Sequence, residues 1–215
     1  LLWSFIFSCT IVMRFFRPFF PAVHLYPDAL FRIQTEKKEL CLTFDDGPNQ
    51  SHTFQILETL DRYNVKAVFF CNGQAAEDNQ AIVKNILDRG HLLGNHGYVH
   101  LDGWKCSVQA YLKNAERADD YTSAVLFRPP YGHMLPWQYS RLKQKYRIVM
   151  WDLMPYDFDS RFGIANTLNI LRQMIRPGSI IVMHDKPSSN AVFVLGSFLE
   201  HALREGYRFV VPFNG

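Results

Sequence analysis

The chain has 215 residues, 48% of them apolar and 20% charged, a balance that excludes a disordered chain and supplies one domain with a sizeable core. The formal net charge is only +3, and Lys and Arg are scattered without a long basic block, so nucleic acid is not an expected partner. Aromatic residues make up 15%; such rings suit sugar faces, although filling cores is their ordinary role.

The first segment, Leu1–Met13, is almost wholly apolar and is followed by Arg14 and Arg17. It falls short of the roughly 20 residues that a bilayer-spanning helix needs, so stable membrane insertion is not expected. It also lacks the basic start and small-residue cleavage site of a secretory signal. It reads as the tail of a truncated signal or anchor, or as sequence upstream of a natural start at Met13. The location stays open between the cytoplasm and the periplasm or cell envelope.

Strand-like and helix-like patterns then alternate. Glu39–Phe44 reads as a strand with Leu40, Leu42 and Phe44 on one face. Gln50–Tyr63 has helical spacing through Phe54, Ile56, Leu57 and Leu60. Lys66–Phe70 is a short strand. Ala76–Arg89 is helical through Ile82, Val83, Ile86 and Leu87, with Gly90 where a C-terminal cap belongs. His91–Leu93 is a strand, and Ser107–Tyr121 a helix with Ser107 as its N-cap. Val125–Phe127, Arg147–Trp151, Ser179–Met183 and Tyr207–Val211 read as further strands. Trp137–Tyr146, Ala165–Ile175 and Val192–Glu205 read as the intervening helices. About seven β/α units result, a pattern that predicts a parallel sheet closed or nearly closed into a barrel. In such barrels, active sites form from the loops after the strands' C-terminal ends.

Polar motifs fall at those positions. The first strand runs into Thr43-Phe44-Asp45-Asp46-Gly47-Pro48, where adjacent carboxylates point in different directions. One can bind a metal while the other does acid–base work; a solvated turn is the plainer alternative. The third strand runs into Asn95-His96-Gly97-Tyr98-Val99-His100, and two His at i, i+4 share one face if that loop is helical. With Asp46 they complete a His, His, Asp set, three ligands with a position left open as in catalytic zinc sites. Arg128-Pro129-Pro130-Tyr131-Gly132 ends the fourth strand with a permanent charge able to hold a carboxylate. Trp151-Asp152 and Asp157 follow the fifth. His184-Asp185 follows the sixth, where a His can act as a general acid. The cysteines at 9, 41, 71 and 106 contain no C-x-x-C pair, which argues against a cysteine zinc site. Cys41 and Cys71 lie in apolar runs and are expected to be buried free thiols.

From Leu40 to Phe213 these elements resemble, in order and content, the polysaccharide deacetylases, the NodB-homology domain of carbohydrate esterase family 4. The T-F-D-D-G-P motif stands unchanged at Thr43–Pro48. The family's H-x-x-x-H matches His96 and His100, and its R-P-P-Y-G matches Arg128–Gly132. Its D-x-x-D-W is approximated by Trp151–Phe158, and its L-x-H by Val182-Met183-His184. The resemblance implies an α/β fold, a distorted (β/α)7 barrel, with a lead-in over residues 1–38 and a catalytic domain over 39–215. It implies a divalent metal, zinc first and Co2+, Ni2+ or Mn2+ as alternatives, held by Asp46, His96 and His100. Asp45 would be the general base, His184 the general acid, and Arg128 the group that orients Asp45. Asp157 would tune Arg128, His184 or both. The backbone N–H of Tyr131 would stabilise the oxyanion, and Val182 and Phe158 would line the acyl pocket. The substrate would be an N-acetylated glycan such as a chitooligosaccharide or peptidoglycan, with acetate as product. A non-sugar amide or another acyl group, or a catalytically silent glycan-binding role, are the alternatives.

Gly97 departs from the family, which usually carries Ser or Thr there to steady the loop, and lower metal affinity is the expected result. Phe158 replaces Trp and Val182 replaces Leu, changes that alter the pocket's shape. Asp152 and Asp185 are expected to do no more than bond loop backbone. Trp104, Trp137 and Tyr139 are candidates for a sugar-stacking face, with core or rim packing the commoner fate of such residues.

Overall fold

A computed structural model describes residues 16–18 and 24–213. The apolar run before Met13, the possible start there and Cys9 lie outside the described residues. No helix among the described residues is long and apolar enough to cross a membrane.

Seven strands form one curled sheet: β1 Glu39–Asp45, β2 Val68–Cys71, β3 Leu92–Asn95, β4 Leu126–Phe127, β5 Arg147–Ile148, β6 Ile180–His184 and β7 Arg208–Phe209. The order is β5-β4-β3-β2-β1-β6, with β7 beside the start of β1, and every pairing is parallel. The helices are α1 Thr53–Arg62, α2 Gly73–Asp78, α3 Gln80–Asp88, α4 Val108–Thr122, α5 Pro136–Leu142, α6 Ile164–Met174 and α7 Ala191–Arg204. Between the outer strands the curl is closed in pieces, by bridges from Leu30 to Val149, Arg32 to Ser179 and Leu153 to Ile181. This is the distorted (β/α)7 barrel.

Alternation along β1 builds two cores. Leu40, Leu42 and Phe44 point outward and pack with Ile56, Leu57 and Leu60 of α1 and Val194, Leu195 and Phe198 of α7. Cys41 faces the barrel interior with Val68, Phe70, Leu126, Val149 and Ile180. Both faces of β1 are therefore covered, as a central parallel strand requires. Cys41 and Cys71 are buried free thiols, and burial pushes the Cys41 thiol up to about 12.

Several boundaries differ from the sequence reading. The predicted helix over 76–89 is two helices broken at Asn79 (φ −132°, ψ 44°). The Asn79 side chain donates to the Ala75 carbonyl at 2.9 Å, taking the acceptor that a continuous helix would give to its backbone N–H. The helix expected from Gln50 starts at Thr53, because the Asn49 side chain first accepts the N–H groups of Ser51 and His52. Phe54 and Leu87, which belong to the apolar helical spacing, lie on solvent faces of their helices. Ser107 caps α4 as expected, accepting the Ala110 N–H at 3.2 Å. The chain leaves α3 with His91 N–H on the Ile86 carbonyl and Gly90 N–H on the Leu87 carbonyl, the paired bonds of a Schellman end.

Candidate active site

Register sets the site. Asp45 on β1 lies opposite His184 on β6, and Asn95, the last residue of β3, lies opposite Phe127 on β4. The loops that follow carry Asp46, His96, His100 and Arg128 to the same rim, at the strands' C-terminal ends.

Asp46 turns away from β1 with φ +78°, a backbone state sparsely used outside glycine and concentrated at functional sites. Its Oδ1 stands 3.6 Å from His96 Nε2 and 3.3 Å from His100 Nε2. That oxygen is buried and has no hydrogen-bond partner. Burial is the largest influence on Asp46 and raises its pKa, but His96, His184, Lys186 and His100 together outweigh it and hold the carboxyl at about 2. His96 Nδ1 lies 2.8 Å from the Arg128 carbonyl, which makes Nδ1 the donor of that bond and leaves Nε2 facing Asp46. His100 is held down to about 4, by burial first and then by His96. One ligand atom from each of Asp46, His96 and His100 lies within 4.8 Å of the others. Two imidazole nitrogens and an orphaned carboxylate oxygen, converging on one point, fit a divalent transition ion.

The loop holding both histidines is not helical. Its turn is made at Gly97 (φ +77°), a left-handed state that glycine takes without strain. A Cβ there would lie 2.5 Å from Asn114 Nδ2. Asn114, on α4, accepts the Val99 N–H at 3.0 Å, donates to the Val99 carbonyl at 2.9 Å, and takes the Tyr98 N–H on its own carbonyl. The loop, with glycine at its turn, is thus fastened by an amide from the neighbouring helix.

Arg128 is fully buried inside the barrel. Its guanidinium donates to Asp45 Oδ1 at 2.7 Å, Thr43 Oγ1 at 2.6 Å and the Val149 and Met150 carbonyls, over the Phe70 ring. The other Asp45 oxygen is left toward the cleft, 4.0 Å from His96 Nε2. Of the two groups that Asp157 was expected to tune, it contacts His184: it lies 3.0 Å from His184 Nδ1 and accepts the His184 backbone N–H at 2.7 Å and the Ser189 hydroxyl at 2.6 Å. Burial works to lower the His184 pKa and is the largest influence, yet Asp157, with Asp46 and Asp45, outweighs it and the pKa is raised.

These groups surround a cleft of about 270 Å3. Val182 and Phe158 line it with Trp151 and Met154, and Phe158 packs edge-on against His184. Tyr131 sits between the prolines and glycine of its loop at φ +60°, its ring 4.2 Å from His100. Lys186, absent from the sequence reading, also lines the cleft and pairs with Asp46 Oδ2 at 3.1 Å; its spacing of two from His184 was the available signal. Asp152 and Asp185 do more than bond loop backbone. Asp152 is a buried hub for Arg17, Arg176 and Ser179. Asp185 accepts the Thr53 hydroxyl at 2.6 Å and the Asn49 amide at 2.8 Å, and burial pushes it up to about 7. Tyr139 is buried, while Trp104 and Trp137 are exposed.

A barrel with a His, His, Asp cluster at its C-terminal rim defines the class, that of metal-site hydrolase folds. A family model described as polysaccharide deacetylase matches residues 32–146. A peptidoglycan-N-acetylglucosamine deacetylase from Bacillus cereus is 34% identical over 81% of this chain and 66% of its own length. The chain thus spans just under two thirds of that relative. A crystal structure of a peptidoglycan N-acetylglucosamine deacetylase superimposes with a TM-score of 0.83 at 31% identity, covering 90% of this chain and 94% of that one. A structure described as a mutant of a carbohydrate esterase family 4 pseudoenzyme gives 0.77 at 25% identity, over 85% and 68%. The chain belongs to the polysaccharide deacetylase family.

Proposed function

We propose that the protein hydrolyses N-acetyl groups from a glycan, with peptidoglycan and chitooligosaccharides as the leading substrates. The observation that carries this reading is the convergence, on one cleft, of the Asp46–His96–His100 cluster, the Arg128-held Asp45 and the Asp157-held His184. A divalent ion, zinc first, held by Asp46, His96 and His100 would polarise the acetamide carbonyl and make water acidic enough to attack near neutral pH.

The chain's own groups do the rest. Arg128 saturates one oxygen of Asp45 and fixes the other toward the cleft, where it takes a proton from the attacking water. Oxygen adds to the acyl carbon, and the Tyr131 N–H stabilises the charge that develops on the former carbonyl oxygen. His184, its Nδ1 turned to Asp157, offers Nε2 to the leaving nitrogen. The C–N bond breaks as that nitrogen is protonated, giving acetate and a free amine. Phe158 and Val182 form apolar walls for the acetyl methyl. The set of groups is complete, which favours an active enzyme over a silent glycan binder.

The test is acetate release from N-acetylglucosamine oligomers and from peptidoglycan, by metal-stripped protein and after zinc is restored. Release that depends on zinc supports the reading. Stoichiometric zinc without release moves the activity to another acyl or amide substrate. Absence of bound zinc removes the metal site and the mechanism built on it.

A further inference from the structure

One wall of the cleft carries a feature that bond cleavage does not use. His133, just beyond the Arg128–Gly132 segment, lines the cleft. The indole of Trp104 lies flat on it, with centroids 3.6 Å apart and planes 8° apart. Trp104 is nevertheless 59% exposed, so packing is not what holds it. Asp102 accepts the Trp104 backbone N–H at 3.0 Å and meets His133 Nδ1 at 3.0 Å. Between them Gly103 passes so close to the next loop that a Cβ would lie 2.3 Å from the His133 carbonyl oxygen. Gln138 locks the two loops from behind, donating to the Gly103 carbonyl at 2.9 Å and accepting the Leu135 N–H at 2.7 Å.

An indole fixed in this way has given up freedom without being buried, and a preorganised flat apolar face lowers the cost of binding a flat apolar partner. The aromatic rings step outward from the metal-ligand cluster: His100 to Tyr131 at 4.2 Å, Tyr131 to His133 at 5.7 Å, then Trp104. A pyranose presents such an apolar C–H face, and its hydroxyls stay in water at the rim.

We propose that Trp104, backed by His133 and anchored through Asp102, is a sugar-binding platform for a ring further along the glycan than the one in the cleft. The ligand's identity rests on the glycan deacetylase reading. The platform makes the substrate class an oligomer or polymer: a monosaccharide held at the metal-ligand cluster leaves Trp104 bare, and a longer chain reaches it.

The test is titration of the zinc-loaded protein with N-acetylglucosamine and with its β-1,4-linked tetramer, following the Trp104 indole N–H resonance, assigned by its absence in W104F. The tetramer should move that resonance and the monomer should not. In W104A the tetramer should bind about ten-fold more weakly, the size of one aromatic contact, and W104Y should recover most of the loss. A tetramer that leaves the resonance unmoved, or binds W104A as tightly as the unaltered protein, overturns the platform. Acetate release with tetramer affinity unchanged in W104A overturns the platform alone. Tetramer binding at Trp104 without acetate release sinks the deacetylase reading and leaves the platform standing.

Discussion

A buried guanidinium is tolerable only when its donors are answered, and Arg128 meets that condition with two side-chain oxygens and two carbonyls. The consequence falls on Asp45, whose rotamer is set by a group that cannot move. Asp45→Asn keeps an oxygen for Arg128 and removes the base. We expect kcat to drop by roughly 10²–10⁴ with zinc content unchanged by elemental analysis; a variant with full turnover would take the base role from Asp45. His184 is governed in the same way from behind. Asp157 favours the imidazolium, so the acid stays protonated to a higher pH than an ordinary imidazole. The basic limb of a kcat–pH profile should therefore lie above the usual His range. In Asp157→Asn the support from Asp157 is gone, burial is opposed only by Asp46 and Asp45, and the limb should shift to lower pH. A limb that stays in place, or moves up, would mean that another group donates the proton.

At the scale of elements, the loop between β3 and α4 decides how well His100 is aimed. Gly97 and Asn114 fit as a pair: the missing Cβ is the space that the amide occupies, and the amide ties both polar groups of Val99 beside His100. Against the lower metal affinity expected from Gly97 in isolation stands the support of a helix residue seventeen positions beyond it. Asn114→Ala should weaken zinc binding by roughly 10–100-fold, the usual effect of removing an outer-shell support, as read by competition with a chromophoric chelator. Affinity equal to the unaltered protein would show that the loop's backbone bonds suffice: Tyr98 N–H to the Asn114 carbonyl, and the Gly73 and Gln74 N–H groups at the start of α2 to the Gly97 and Tyr98 carbonyls. This pair also shows where sequence reading stopped. The groups of the candidate site were legible because each polar motif directly follows an apolar strand, and parallel register carries strand ends to one rim. Asn114 was not, because its partner is a loop on another element and an Asn on a helix has many uses. The break at Asn79 was equally hidden, since one side-chain bond to Ala75 overrode an unbroken apolar period. Phe54 and Leu87 fit the helical spacing, yet both lie exposed at the solvent side of their helices.

At the scale of the whole molecule, the metal-ligand cluster joins structures far apart in the chain. Asp46 extends β1 at the centre of the sheet, His96 and His100 extend β3, and His96 is braced by the Arg128 carbonyl after β4. An ion bound there would tie the ends of β1 and β3 together in the folded state, with β4 joined through His96, while the unfolded chain offers no such site. Folding and binding are then linked by mass action, and zinc at about 100 times its Kd should add about 2.7 kcal/mol. For a domain of this size that corresponds to a rise in Tm of roughly 5–10 °C. His100 is the ligand to remove as the control. Its side chain is 29% exposed, against 2% for His96 and 13% for Asp46, so its loss disturbs packing least while opening the set. Scanning calorimetry of metal-stripped protein should show the rise on adding zinc, and His100→Ala should show little of it. An equal rise in that variant would place the stabilising ion elsewhere on the molecule.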